Sequence, residues 1–79
     1  MKLYLISQDS NNGYDTYDSA VVVADSEEEA RNMIPGNGEW TDEYNGWCKS
    51  PDLVKIQYLG EADPKFTKKQ FINASFNAG

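Results

Sequence analysis

Ser19-Ala20-Val21-Val22-Val23-Ala24, running directly into Asp25-Ser26-Glu27-Glu28-Glu29-Ala30-Arg31-Asn32-Met33-Ile34-Pro35, is the stretch on which the fold turns. Its first half is a continuous apolar, β-branched run bounded by polar residues, the pattern of a strand in the middle of a sheet. In its second half Ser26 and Glu29 stand three apart as a capping box, in which each side chain satisfies a backbone N–H at the helix start. Glu27, Glu28 and Glu29 also set negative charge at the positive end of the helix dipole. Ala30, Met33 and Ile34 then fall at i, i+3 and i+4 as one apolar stripe, and Pro35-Gly36 stops the helix. A short helix of about two to three turns is expected, laid across a sheet to which the valine run supplies the central strand.

The flanking segments supply the rest of that sheet. Leu3 to Ser7 reads as a strand, and Gln8 to Asp18 as a polar connector whose Asn11-Asn12-Gly13 is a hairpin-like signal. Leu53 to Leu59 alternates, with Val54, Ile56 and Tyr58 on one face, and Gly60 ends it. Gln70 to Phe76 places Ile72, Ala74 and Phe76 together and reads as a closing strand. The order β-β-α-β-β predicts an α+β fold: a small, mainly antiparallel sheet of about four strands with one short helix packed on a face. Residues 1–79 form a single domain in this reading, because a chain of 79 residues has material for one core. The spatial order of the strands is not encoded in these patterns.

Composition narrows the function. Thirteen acidic residues against seven basic give a net charge of −6, which repels a phosphate backbone, so direct nucleic-acid binding is disfavoured. Lys65, Lys68 and Lys69 make a small cationic patch in a negative field. Cys48 is the one cysteine and there is no histidine, so no intramolecular disulfide forms and the usual zinc ligand sets are missing. The short apolar run at Leu3 to Ile6 is interrupted at once by polar residues, which argues against a secretory signal, and no run is long enough to span a bilayer. The expected setting is cytoplasmic, with no membrane association; a homodimer stays open for so small a core.

Candidate chemistry is sparse. Without histidine the commonest general base is missing, and Cys48 beside Lys49 is the one obvious nucleophile, read here as a small residue packed near the core. Asp9-Ser10-Asn11-Asn12-Gly13-Tyr14 is superficially similar to the start of a calcium loop, but the required sixth-position glycine is Tyr14. No catalytic residue, metal site or cofactor is expected, and the chain is read as not an enzyme. The segment Gly36 to Pro51 is different: it is rich in turn residues yet carries Trp40, Tyr44 and Trp47. Aromatics in such a loop either fold back to finish the core or are displayed to a partner. Displayed beside Glu39, Asp42 and Glu43, they would form an aromatic anchor ringed by acid, suited to a basic protein surface.

Met1-Lys2-Leu3-Tyr4-Leu5-Ile6-Ser7-Gln8, Gly13-Tyr14-Asp15-Thr16-Tyr17-Asp18-Ser19-Ala20-Val21-Val22, Glu27-Glu28-Glu29-Ala30-Arg31 and Ala74-Ser75-Phe76-Asn77-Ala78-Gly79 together resemble a family of small proteins of bacteriophages and prophages. The resemblance runs nearly end to end and brings no activity, catalytic residue or ligand with it. It implies a setting, in which small acidic phage proteins without catalytic motifs bind and block a host protein, as anti-CRISPR and other anti-defence proteins do. The expected function is inhibition of a host defence or nucleic-acid-processing complex by protein–protein contact. The expected contact residues are Glu27, Glu28, Glu29, Glu39, Trp40, Asp42, Glu43, Tyr44 and Trp47, facing a host protein with a basic surface. Two alternatives are a sponge that sequesters a small nucleotide signal among Tyr14, Tyr17, Trp40 and Trp47, and a non-catalytic accessory subunit joined to a larger assembly by a strand edge.

Overall fold

The valine run lies in an interior strand of a four-stranded antiparallel sheet. The structure is a computed structural model that describes residues 1–11, 15–36, 39–41 and 45–77. Its elements are β1 (Lys2–Ser7), β2 (Thr16–Ala24), helix α1 (Glu27–Arg31), a 3-10 turn over Pro51–Leu53, β3 (Lys55–Glu61) and β4 (Gln70–Asn77). In space the strands run β3-β1-β2-β4, so the sheet order departs from the chain order and the two central strands are the first two made. Every neighbouring pair is antiparallel, with Ile6 opposite both Ala20 and Ile56, and Ala20 opposite Ala74.

That register sorts the side chains. Tyr4 and Ile6 of β1 and Ala20, Val22 and Ala24 of β2 are buried on the face that carries the helix. Three of the residues stacked there, Ala20, Ala24 and Ala30, are alanines, which lets the short helix sit close against the strands. Met33, Trp47, Cys48 and Val54 complete the same core from the connection between α1 and β3. Each large side chain buried in this way contributes roughly 1.5–3 kcal/mol. On the opposite face Leu3 pairs with Val23 and Leu5 with Val21, and Val23 is fully buried.

The helix is shorter than its apolar stripe suggests. Ser26 caps it as expected, its Oγ accepting the Glu29 N–H at 3.1 Å, and Glu29 Oε1 accepts from the Asp25 N–H at 3.0 Å. At the other end Asn32 intervenes: its side-chain Nδ2 donates to the Glu28 carbonyl at 2.8 Å while its backbone N–H reaches the carbonyls of Glu28 and Glu29. This local competition for helix carbonyls ends the helix at Arg31, and Pro35 excludes helical backbone for the residue before it. Met33 and Ile34 therefore pack on the core from irregular chain past the helix end, the Met33 N–H turning back to the Ala30 carbonyl at 3.2 Å.

Irregular pairing sets the edges. The register shifts at Asp18, between Tyr17 and Ser19, so that Tyr17 faces the helix side, where its ring lies 4.7 Å from that of Phe76. A second shift in β4 sets Phe71 opposite Val22 and leaves Ile72 as the extra residue. In β3 the shift opposite Leu3/Tyr4 precedes Gly60. Ile56 and Tyr58 share the expected face with Val54, but the strand begins only at Lys55, because the 3-10 turn takes Leu53, and it runs through Gly60 to Glu61, where pairing with Lys2 and Leu3 continues it as an edge strand. Val54 is buried, whereas Tyr58 lies open to solvent with its ring edge against Tyr4 at 5.8 Å. No helix among the described residues is long and apolar enough to cross a membrane.

Candidate functional site

The aromatic loop is fastened to one end of the sheet by polar side chains that the core encloses. Gln8, the residue after β1, is buried, and its side chain makes five hydrogen bonds within the described residues. Its Nε2 donates to the carbonyls of Asn11 and Tyr17, while its Oε1 accepts from the N–H groups of Ser10 and Asn11 and from the Ser10 hydroxyl. Held in this way, the connector points Asn11 at the loop, and Asn11 Nδ2 donates to the Trp47 carbonyl at 2.9 Å. The Tyr17 N–H donates to the Gly46 carbonyl at 2.7 Å. Gly46 adopts φ +76, and a Cβ there would sit 3.2 Å from the Asp15 carbonyl, so both backbone conformation and space call for glycine. Asn45, also buried, accepts the Trp47 N–H at 2.8 Å and donates to the carbonyls of Cys48 and Glu39.

These bonds place the loop's aromatics differently. Trp47 is 1% exposed and belongs to the core. Of the two roles its sequence context allows, it fills the first, and it leaves the set of residues a partner can touch. Its indole Nε1 has no hydrogen-bond acceptor among the described residues. Trp40 is half-buried: one side rests on the core while its Nε1 donates to the Asn32 carbonyl at 3.2 Å, at the C-terminal cap of α1. Glu39, immediately before it, is exposed. Tyr44, Asp42 and Glu43 lie outside the described residues, as does Tyr14.

The helix glutamates also divide. Glu27 and Glu28 are exposed, whereas Glu29 is half-buried and engaged in the cap. Glu27 forms an i,i+4 ion pair with Arg31 at 3.5 Å. The other guanidinium nitrogen of Arg31 donates to the carbonyls of Pro51 and Val54, which fixes the helix to the turn before β3. Asp25, Glu27, Glu28 and Asp52 are exposed, and Trp40, next in sequence to exposed Glu39, is joined to the helix C-cap through Asn32. Elsewhere, Asp9 pairs with Lys55 at 2.7 Å, and the lysine holds its carboxyl below the ordinary carboxylate range.

Cys48 is fully buried, and its thiol donates to the Ser50 carbonyl at 3.4 Å. Burial pushes its pKa up, away from the thiolate that nucleophilic chemistry needs. A thiol-specific disulfide reagent is therefore expected to leave the folded chain unlabelled and to react fully once denaturant unfolds it. Stoichiometric labelling of the folded chain at neutral pH would contradict this placement. No group of three or more His, Cys, Asp or Glu side chains among the described residues is placed to hold a metal ion. The nucleotide-stacking arrangement loses Trp47 to the core, and the Tyr17 ring is occupied by Phe76 and by Gly36, whose Cβ position lies 3.2 Å from Tyr17 Cε2.

The sequence patterns did not single out a second exposed group, the large apolar side chains of the edge strands: Tyr58 and Leu59 on β3, and Phe71, Ile72 and Phe76 on β4. Alternation places such residues on a face, but whether that face is covered depends on where the helix lies. Helix α1 packs on β1, β2 and β3. Comparison with known proteins gives no further constraint: no family model matches the chain, and neither the curated proteins nor the solved structures contain a match.

Proposed function

We propose that this chain is a non-catalytic binding protein that occupies a basic surface of a host protein complex, one that handles nucleic acid or defends the host, and blocks it as an anti-CRISPR-like inhibitor would. The observation that carries this reading is the position of Trp40. Its indole is tied to the C-cap of α1, so a half-exposed aromatic, next in sequence to exposed Glu39, is held at the end of the acidic helix. An aromatic anchor rimmed by carboxylates is the counterpart of a cationic groove, which it enters in competition with the nucleic-acid backbone. The net charge of −6 supplies long-range attraction to the same surface. In this reading the protein acts in the host cytoplasm, and Glu27, Glu28, Glu39 and Trp40 are the contact residues within the described part of the chain.

The test is the affinity of the full chain for its captured partner across a salt series. Glu27→Gln/Glu28→Gln/Glu39→Gln is expected to weaken binding by about tenfold or more at low salt and to flatten its salt dependence. Trp40→Ala is expected to weaken binding at all salt concentrations alike. Unchanged affinity and an unchanged salt slope in the triple variant would remove the electrostatic reading.

A further inference from the structure

Strand β4 is an edge strand, and among the described residues no strand pairs with its outer side. Edge strands are normally blunted by charge, proline or irregularity because their free N–H and C=O groups recruit other strands. Both edges carry a register shift, β3 before Gly60 and β4 at Ile72, so charge is what separates them: β3 carries Lys55 and Glu61. Strand β4 reads Gln70-Phe71-Ile72-Asn73-Ala74-Ser75-Phe76-Asn77, with no ionisable residue. Phe71, Ile72 and Phe76 are 38%, 44% and 48% exposed. An uncharged strand with its apolar side chains uncovered is the least protected edge of a strongly acidic molecule.

We propose that this edge is a self-association surface: two copies pair their β4 strands antiparallel about a two-fold axis at Ala74, joining the two four-stranded sheets into one. Three features select a second copy over a foreign strand. The register centred on Ala74 is self-complementary, because it sets Ile72 of each copy opposite Phe76 of the other, an aromatic to β-branched pair of the kind that stabilises neighbouring strands. The same register sets Asn73 opposite Ser75, so no like charges meet. Antiparallel pairing also carries the Lys68-Lys69 end of one β4 to the end of the other sheet where exposed Asp15 and Asp18 flank the start of β2, matching the chain's small cationic patch to carboxylates. The two-fold closes the interface, so association stops at a dimer. Helix α1 lies over the other strands, so each copy keeps its acidic helix free and the dimer presents two such surfaces.

Sedimentation of the full chain over a micromolar to millimolar series tests this. The wild type is expected at twice 8.9 kDa. Asn73→Lys/Ser75→Lys places like charges opposite one another across the two-fold at positions exposed in the single chain, and is expected to sediment as a folded monomer. Asn73→Glu/Ser75→Glu is expected to do the same, and an equimolar mixture of the two charged chains to recover the dimer mass. A wild type that stays at 8.9 kDa throughout, or charged variants that dimerise as well as the wild type, overturns the proposal. Should the charged chains lose their fold, Ala74→Cys decides. Opposed residues of antiparallel strands lie about 4.5–5.5 Å apart at Cα, within disulfide reach. Oxidation is expected to give a covalent dimer of the folded chain, and failure to cross-link overturns the axis at Ala74.

Discussion

Trp47→Ala is expected to lower stability by about 3–5 kcal/mol, enough to leave so small a domain largely unfolded at 37 °C. Trp47 is the largest of the fully buried side chains, and it joins the loop to the sheet core formed by Tyr4, Ile6 and Val22. Its removal opens a cavity between the sheet and the covering loop, leaving Met33, Cys48, Val54 and a helix of only five residues to fill that layer. A domain of this size shifts its melting temperature by about 4–8 °C per kcal/mol, so the melt should fall by tens of degrees or vanish. Trp47→Phe separates packing from polarity. The indole N–H is buried with no acceptor among the described residues, so phenylalanine removes that donor while keeping much of the apolar volume. Its cost should be roughly 1–2 kcal/mol. A thermal melt of Trp47→Ala within a few degrees of the wild type would show that Trp47 is not the keystone of this core.

Gln8→Ala is expected to cost about 2–4 kcal/mol, an unusually large effect for a glutamine just past a strand. The side chain is 4% exposed and all its bonds fall on the connector that receives the loop. Truncation strands the carbonyls of Asn11 and Tyr17 and the N–H groups of Ser10 and Asn11 at a part-buried site. Gln8→Glu sharpens the test. It keeps the acceptors but turns the donating amide into a carboxylate facing two carbonyl oxygens, so it should be no more stable than Gln8→Ala at neutral pH. The carboxylate must be desolvated and repelled, which raises its folded-state pKa. The Gln8→Glu variant should therefore gain stability relative to the wild type as pH falls and the group takes a proton. Chemical denaturation of the three chains at pH 4.5 and pH 7 reads both effects, and a Gln8→Ala midpoint equal to the wild type would show that water replaces the network without loss.

Local patterns carried much of the secondary structure. The β-branched run of Val21 to Val23 and the alternation around Ile56 marked strands because burial on a pleated surface selects those residues, and the Ser26/Glu29 capping box fixed the helix start. The helix end was less legible: the apolar stripe at Met33 and Ile34 is as compatible with irregular chain packing on the core as with another helical turn, and Asn32 decides between them by bonding back to Glu28. The spatial order β3-β1-β2-β4 depends on long-range pairing that no local pattern records. For the candidate site, the acids of the helix could be named from sequence, but their division could not: Glu29 is drawn into the cap while Glu27 and Glu28 stay exposed. Trp40 and Trp47 occupy similar sequence surroundings. Their different fates follow from Asn45 and Asn11, whose bonds to the backbone of Trp47 turn that residue inward.

The most direct test of the central claim is native mass spectrometry of the tagged full chain recovered gently from a bacterial host lysate. The proposed function predicts a complex with one host protein in simple stoichiometry, one whose surface is basic, dissociating as salt is raised and depleted when the bait is Glu27→Gln/Glu28→Gln/Glu39→Gln. A chain that carries no protein, or instead retains a ligand of several hundred daltons, would contradict it.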